Sequence, residues 1–204
     1  MRSYGMILLC VFFGEASASS VFLIPADNPK PTYPIALYRA GVTGEVRVSF
    51  SVRADGSVHK VAVPESAQPE LAEAARSAVS RWRFQPWAVT DKHPAQIEVV
   101  APMAFRLDDS PPFHANESLK QLRCADVSRV ARHYSEYLWV DLPVFSWTRS
   151  YLTHSISPTQ LPEEKRLALI ATLNKSVPRI VRRCHQSPTS LYVGLLPQEI
   201  RDLL

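Results

Sequence analysis

Residues 31–63 read PTYPIALYRAGVTGEVRVSFSVRADGSVHKVAV, and this stretch decides the fold of the chain. From Glu45 to Val52 apolar and polar residues alternate, which is the pattern of a β-strand with one wet face. The Asp55-Gly56 dipeptide then predicts a tight hairpin turn, because glycine takes positive φ at little cost.

Two further elements flank that strand. A short helix is predicted to begin at Tyr33-Pro34, since proline is tolerated in the first helical position, and to end at Gly41. The return strand of the hairpin covers Ser57 to Pro64. Its apolar residues change parity, which predicts a β-bulge near His59.

A longer helix and a last strand complete this unit. Residues 69–84 carry apolar side chains at helical spacing, and Trp82 is predicted to fill the end of the core. Residues 96–107 alternate again, but Pro102 lies on the opposite parity to the apolar set. Because proline cannot donate to a strand ladder, this strand belongs at the sheet edge or carries a bulge.

Beyond residue 108 the pattern becomes helical. We expect a domain over 31–108, a linker over 109–115 and an all-helical module over 116–204. The first predicted helix of the module starts at Asn116 or Ser118 and runs to about Val140. Three more start at Pro143, Pro162 and Pro197, and the one from Pro162 is expected to break or kink at Pro178.

The N-terminus has the pattern of a secretory signal peptide. A positive start, an apolar run over 6–13 and Ala16-Ser17-Ala18 predict cleavage after Ala18, leaving 19–30 as a lead-in segment. An uncleaved membrane anchor is the alternative. Cleavage would leave two cysteines, Cys124 and Cys184, for which an oxidising compartment favours one disulfide over two buried thiols.

Composition and spacing exclude several function classes. The net charge of +4 is mild and the basic residues are scattered, which argues against nucleic-acid binding. No spacing of Ser, His, Cys, Asp or Glu suits a nucleophile, an acid–base pair or a metal. We therefore expect no enzyme, no cofactor and no metal site.

Taken in order, the residues of 29–108 resemble the C-terminal domain of the TonB family. The match comprises Tyr33-Pro34, Ala36, Gly41, Gly44-Glu45-Val46, Phe50, Val52, Asp55-Gly56, Val58, Leu71, Ala74-Ala75, Ala78-Val79, Trp82-Arg83-Phe84, Pro86 and Phe105. The resemblance implies an α+β fold, with two helices packed on a three-stranded antiparallel sheet. It also implies a place in the Gram-negative periplasm, either exported or anchored in the inner membrane.

In that family a short peptide of an outer-membrane receptor adds as a strand to the sheet edge, and inner-membrane motor proteins supply the force. The resemblance therefore implies that the last strand binds a TonB-dependent receptor or another envelope protein, in energy-dependent transport. The implied site comprises Gln96, Ile97, Glu98, Val99, Val100, Ala101, Met103, Ala104, Phe105 and Arg106, with Lys30 and Tyr33 flanking the Tyr-Pro motif.

The chain also departs from the family pattern. The long proline-rich spacer is missing, and the short N-terminal apolar run has no histidine. Lys30, three residues before Tyr33, stands where the best-known transducer of the family typically has glutamine. Two alternatives follow. The strand edge could be covered by the helical module or by residues 21–30. The protein could instead be a structural or assembly protein of the envelope, with a dimerising α/β domain and a partner-binding helical module.

Overall fold

The computed structural model describes residues 23–64, 68–107 and 114–204. The predicted signal peptide and most of the predicted linker lie outside these residues. The strands are β1 Pro25–Asp27, β2 Gly44–Arg53, β3 Val58–Ala62, β4 Arg83–Phe84 and β5 Gln96–Phe105. The helices are α1 Ile35–Ala40, α2 Pro69–Val79, α3 Ala115–Gln121, α4 Cys124–Ala131, α5 Pro143–His154, α6 Glu163–Gln186 and α7 Gln198–Arg201, with 3₁₀ helices at Glu136–Asp141 and Tyr192–Leu195.

Strand β2 lies at the centre of a three-stranded antiparallel sheet with the order β3-β2-β5. Its core-facing side chains are at most 2 % exposed, and they are Val46, Val48, Phe50 and Val52. Helix α2 covers this face with a small-residue surface, in which Ala75 and Ala78 are fully buried. The α+β fold followed by helices is therefore confirmed.

The hairpin turn between β2 and β3 depends on Gly56, whose φ is +82°. A side-chain carbon at this position would lie 2.0 Å from the Phe84 carbonyl oxygen. The Phe84 amide in turn donates to the Gly56 carbonyl at 3.0 Å. The glycine is thus required both by the backbone angle and by the close approach of β4.

The return strand carries the predicted β-bulge. Ser51 pairs with His59 and Ser49 pairs with Ala62, so a three-residue step on β3 opposes a two-residue step on β2. Lys60 lies inside the extra step and has a φ of +52°. The change of apolar parity along this strand is the sequence signal of that bulge.

The predicted helix over 69–84 is too long. Helix α2 ends at Val79, and the chain then turns so that β4 pairs antiparallel with β1. The lead-in segment therefore contributes a strand, which the sequence pattern did not indicate. Trp82 does reach the core, since its ring meets Phe50 edge-on with centroids 5.7 Å apart.

The predicted single helix from 116 to about 140 is also wrong. It is divided into α3, α4 and a 3₁₀ helix, because Leu122 is extended and its carbonyl accepts the Tyr192 amide at 2.8 Å. The predicted break at Pro178 is absent, since α6 runs through that residue. The predicted helix starts near Pro143, Pro162 and Pro197 are present.

The helical module has its own apolar core, and the predicted disulfide lies in it. Cys124 begins α4 and is bonded to Cys184 near the end of α6. Both residues are fully buried beside Val127 and Val181. Among the described residues, no helix combines the length and the apolar character that crossing a bilayer would need.

Replacing Gly56 by alanine should destabilise the protein strongly. An alanine would adopt an unfavourable φ, which costs about 1–3 kcal/mol, and would also collide with β4. Gly194 is the matched control, because an added side-chain carbon there meets nothing within 4 Å. In urea denaturation Gly194→Ala should change the free energy of unfolding by no more than about 0.5 kcal/mol. Equal losses in the two variants would contradict this account of the turn.

Removing the disulfide should lower the free energy of unfolding by about 2–4 kcal/mol, because the bond closes a loop with a sequence separation of 60. The measurement compares the Cys124→Ala/Cys184→Ala variant with the wild type, each with and without a thiol reductant. Reductant should bring the wild type to the stability of the variant and leave the variant unchanged. A wild type as unstable as the variant without reductant would contradict the prediction.

Candidate peptide-binding edge

Strand β5 forms one outer edge of the three-stranded sheet. An unbroken register joins it to β2, from Gly44 opposite Phe105 to Arg53 opposite Gln96. No other strand in the described part of the chain pairs with its outer side. Neither the helical module nor residues 23–30 supplies such a strand, since β1 pairs with β4 instead.

Hydrogen bonds near the hairpin decide which β5 residues turn their backbone groups outward. The Arg53 amide donates to the Ser57 carbonyl at 2.9 Å, on the β3 side, whereas the Ala54 amide donates to the Ala95 carbonyl at 2.9 Å. Because this direction alternates along a strand, odd-numbered residues of β5 bond to β2 and even-numbered residues point outward. Pro102 is even-numbered, so its missing donor breaks no bond of the sheet.

The outward positions form a regular row along the edge. Both backbone groups point outward at Gln96, Glu98, Val100 and Ala104, and only the carbonyl does so at Pro102. Neighbouring positions in this row are about 7 Å apart, which is the two-residue repeat of an extended chain. The Val100 side chain is 68 % exposed on the face away from the core.

The predicted site residues therefore separate into two groups. The odd-numbered ones face the core side and hold the strand in place, and they are Ile97, Val99, Ala101, Met103 and Phe105. Of these, Met103 and Phe105 are buried, and the other three are half-buried. Only the even-numbered group presents backbone donors and acceptors to a second chain.

A groove of about 370 Å³ opens beside the C-terminal half of β5. Its lining combines residues 102–106 with Asn28, Lys30, Pro31, Tyr33 and Trp82. The structure thus brings Lys30 and Tyr33, which lie far from β5 in sequence, to the same end of the edge. Trp82, which the sequence predicts to fill the end of the core, also lines this groove.

Two side chains fix the walls of this groove. The Trp82 indole N–H donates to the Pro29 carbonyl at 2.9 Å, which holds the lead-in segment in place. The Tyr33 hydroxyl donates to the Val42 carbonyl, and its ring meets Phe105 edge-on at 5.3 Å between centroids. The groove is therefore shaped by the residues before β2 as much as by β5.

Glu98 is bonded to the sheet. The Ser51 hydroxyl lies 2.8 and 2.9 Å from the two Glu98 carboxylate oxygens, and the Gln96 amide donates to one of them at 2.6 Å. The Ser51 hydrogen bond is the main cause that lowers the pKa of Glu98, followed by the Gln96 bond. Ser51 is fully buried, although its parity predicted a wet position.

Side chains suited to metal binding are dispersed in the described ranges. No three His, Cys, Asp or Glu residues there are grouped so that they could hold a metal ion. The arrangement that the described residues do offer is a backbone edge with an adjoining groove.

Residues 29–107 match the family model described as "Gram-negative bacterial TonB protein C-terminal", so the TonB resemblance is confirmed for that region. Two curated proteins named "Protein TonB" are similar to it, from Xanthomonas campestris pv. campestris strains B100 and ATCC 33913. Each is 39 % identical over 82 residues, which is 40 % of this chain. The match spans 36 % of each relative's own length.

A solved structure titled "Solution NMR structure of Pseudomonas aeruginosa TonB CTD" is also similar. It shares 26 % identity, with a TM-score of 0.36. The likeness covers 42 % of this chain and 87 % of that one. These comparisons concern the α/β region, and the helical module has no counterpart among them.

The Ser51–Glu98 contact should make stability depend on pH. The lowered pKa means that the stabilisation by this carboxylate is full above the ordinary value of 4.5 and is lost as pH falls through the lowered pKa. Glu98→Gln should therefore cost more free energy of unfolding at pH 7 than at pH 3 in urea denaturation.

Ser51→Ala supplies the control for that measurement. In a Ser51→Ala background, much of the pH dependence of the Glu98→Gln effect should disappear, because the main cause of the pKa shift is gone. The same cost of Glu98→Gln at both pH values in the wild type would contradict the role given to this contact.

Proposed function

We propose that the domain over 31–108 binds an extended segment of an outer-membrane receptor, or of another envelope protein, by adding it as a strand to β5. The observation that carries this proposal is the outward row of backbone groups on an edge that no described strand pairs with. The family match over 29–107 supports it from an independent direction.

The expected affinity follows from the edge itself. Each main-chain hydrogen bond contributes about 0.5–1.5 kcal/mol net, and ordering the peptide offsets part of the sum. An edge with outward donors at four positions therefore supports weak to moderate binding. Since backbone groups form most of the contact, the site should tolerate variation among peptide side chains.

Specificity should come from the groove at the end of the edge. Lys30 and Arg106 both line it, which places two positive charges where a bound peptide would continue past Ala104. Unlike charges a few ångströms apart attract, so we expect a preference for peptides with an acidic residue at that end. The exposed Val100 side chain provides an apolar contact near the middle of the edge.

We place this activity in the periplasm, as part of energy-dependent transport across the outer membrane. The N-terminal segment either directs export or anchors the chain in the inner membrane, where motor proteins would act on it. The division into a 31–108 domain, a linker and a 116–204 module belongs to the same proposal. An assembly role in the envelope is the alternative, in which β5 would not receive a receptor peptide.

Val100→Pro tests strand addition directly. It removes one outward donor at a position equivalent in parity to Pro102, so the sheet of the protein itself should remain intact. Loss of one hydrogen bond of about 0.5–1.5 kcal/mol should weaken peptide binding by about two- to tenfold. The measurement is NMR titration of the full chain with synthetic peptides from the N-termini of outer-membrane receptors of the host.

Val100→Ala is the matched control, because it removes the exposed side chain and keeps the backbone N–H. It should bind more tightly than Val100→Pro while folding equally well. The proposal fails if no peptide shifts the amide signals of residues 96–105. It also fails if the proline and alanine variants bind with the same affinity.

A further inference from the structure

One face of helix α6 contacts the C-terminal end of α1 and forms hydrogen bonds with it. Arg166, Ile170 and Asn174 are spaced four residues apart, so they lie on the same face of the helix. The Arg166 guanidinium donates to the Gly41 carbonyl at 2.7 Å, and the Asn174 amide donates to the Arg39 carbonyl at 2.7 Å. Side chains from the helical module thus satisfy carbonyl groups at the end of α1.

The contact is close as well as polar. Gly41 has a φ of +72°, and an added side-chain carbon would lie 2.4 Å from the Ile170 Cδ1 atom. Arg166 is only 8 % exposed, and Ile170 is fully buried. This end of α1 therefore sits against α6 with no room for a larger residue.

The held segment leads directly to the acceptor of a side chain that lines the candidate groove. Val42 follows Gly41, and its carbonyl accepts the hydrogen bond from the Tyr33 hydroxyl. The Tyr33 ring packs edge-on against Phe105, and both residues line the groove at the end of β5. A short chain of contacts thus connects Arg166 of the helical module to the peptide edge.

A second set of contacts holds the same helix from the side. The Arg39 guanidinium pairs with the Asp141 carboxylate, with distances of 2.8 and 2.5 Å for its two hydrogen bonds. Tyr38 lies 3.3 Å from the Ser146 hydroxyl, measured between the two oxygens. Helix α1 is therefore tied to the module by two sets of contacts, both made by residues 38–41, and a shift of α1 on the module would disturb both sets.

From this geometry we infer that Arg166 and Asn174 are positioning residues for the peptide groove. By holding the end of α1, they set the position of the Val42 carbonyl and of the Tyr33 ring against Phe105. The helical module thereby sets the width of the groove, although none of its residues lines it. This inference rests on the proposed function only for its consequence in binding, since the position of Tyr33 can be measured without a peptide.

The test uses Arg166→Met and Asn174→Ala in the full chain. Each removes a hydrogen bond to the end of α1 and leaves every groove residue unchanged. The ring signals of Tyr33 and Phe105 should shift in the NMR spectrum of the free protein. Peptide binding should weaken by about two- to thirtyfold, the range of couplings carried by residues that touch no ligand.

Two further variants separate positioning from plain destabilisation. Ile180→Ala removes a fully buried side chain of the same helix about 15 Å from Ile170, so it should lower stability and leave the Tyr33 and Phe105 signals in place. Arg166→Lys keeps a donor and should recover part of the affinity lost in Arg166→Met. If Arg166→Met does not fold, the ring signals and the peptide affinity of Asn174→Ala and Arg166→Lys are compared with those of the wild type instead.

The outcomes are distinct. Unchanged Tyr33 and Phe105 signals in folded Arg166→Met and Asn174→Ala proteins overturn the inference. Equal loss of affinity in Ile180→Ala overturns it as well. If no peptide binds the wild type, the proposed function fails, and the ring signals alone still decide whether the module positions the groove.

Discussion

The alternation of backbone direction along an antiparallel pair is the constraint on which strand addition to β5 depends. The register between β2 and β5 is unbroken, so every second residue of β5 must turn its N–H and C=O groups away from the sheet. The Ala54–Ala95 hydrogen bond decides which residues those are. Pro102 then occupies one of these outward positions, where a missing donor has no cost to the fold.

An exposed edge of this length is normally a liability, because it can pair with another copy of the chain. Two features reduce that risk here. Pro102 interrupts the row of outward donors, and the Glu98 carboxylate adds a charge beside it. A visiting peptide can still pair along the edge, because Gln96, Glu98, Val100 and Ala104 keep their outward donors and Pro102 keeps its outward carbonyl.

Much of the α/β fold follows from local sequence patterns. The parity of Val46, Val48 and Phe50 predicts the buried face of β2, and the missing donor of Pro102 predicts that β5 lies at the sheet edge or carries a bulge. Each of these signals is contained within one element. They could therefore be interpreted without knowledge of what each strand packs against.

The elements that the sequence did not reveal depend on contacts between distant residues. Strand β1 has only three residues, and it exists because the chain after α2 returns to pair with it. The break after α3 arises because Leu122 bonds to Tyr192, and the burial of Ser51 arises because Glu98 lies across from it. Propensity and periodicity carry no information on such pairings.

The candidate site divides in the same way. Its edge strand follows from a pattern within residues 96–107, whereas its groove is assembled from the lead-in segment, Trp82 and the end of β5. The helical module also contacts residues that precede β2. Its hydrogen bonds to Gly41 and Arg39 join residues more than a hundred positions apart in sequence, so no local pattern could have predicted them.

Buried polar contacts of this kind contribute little net stability, because desolvation offsets much of their strength. They do require one arrangement of their partners, since shifting α1 would leave the buried Arg166 guanidinium without its Gly41 acceptor. Such contacts fix the position of α1 although they add little to the free energy of unfolding. They are therefore suited to a region whose shape affects binding. The end of α1, which leads to the Val42 carbonyl that accepts from the Tyr33 hydroxyl, is such a region.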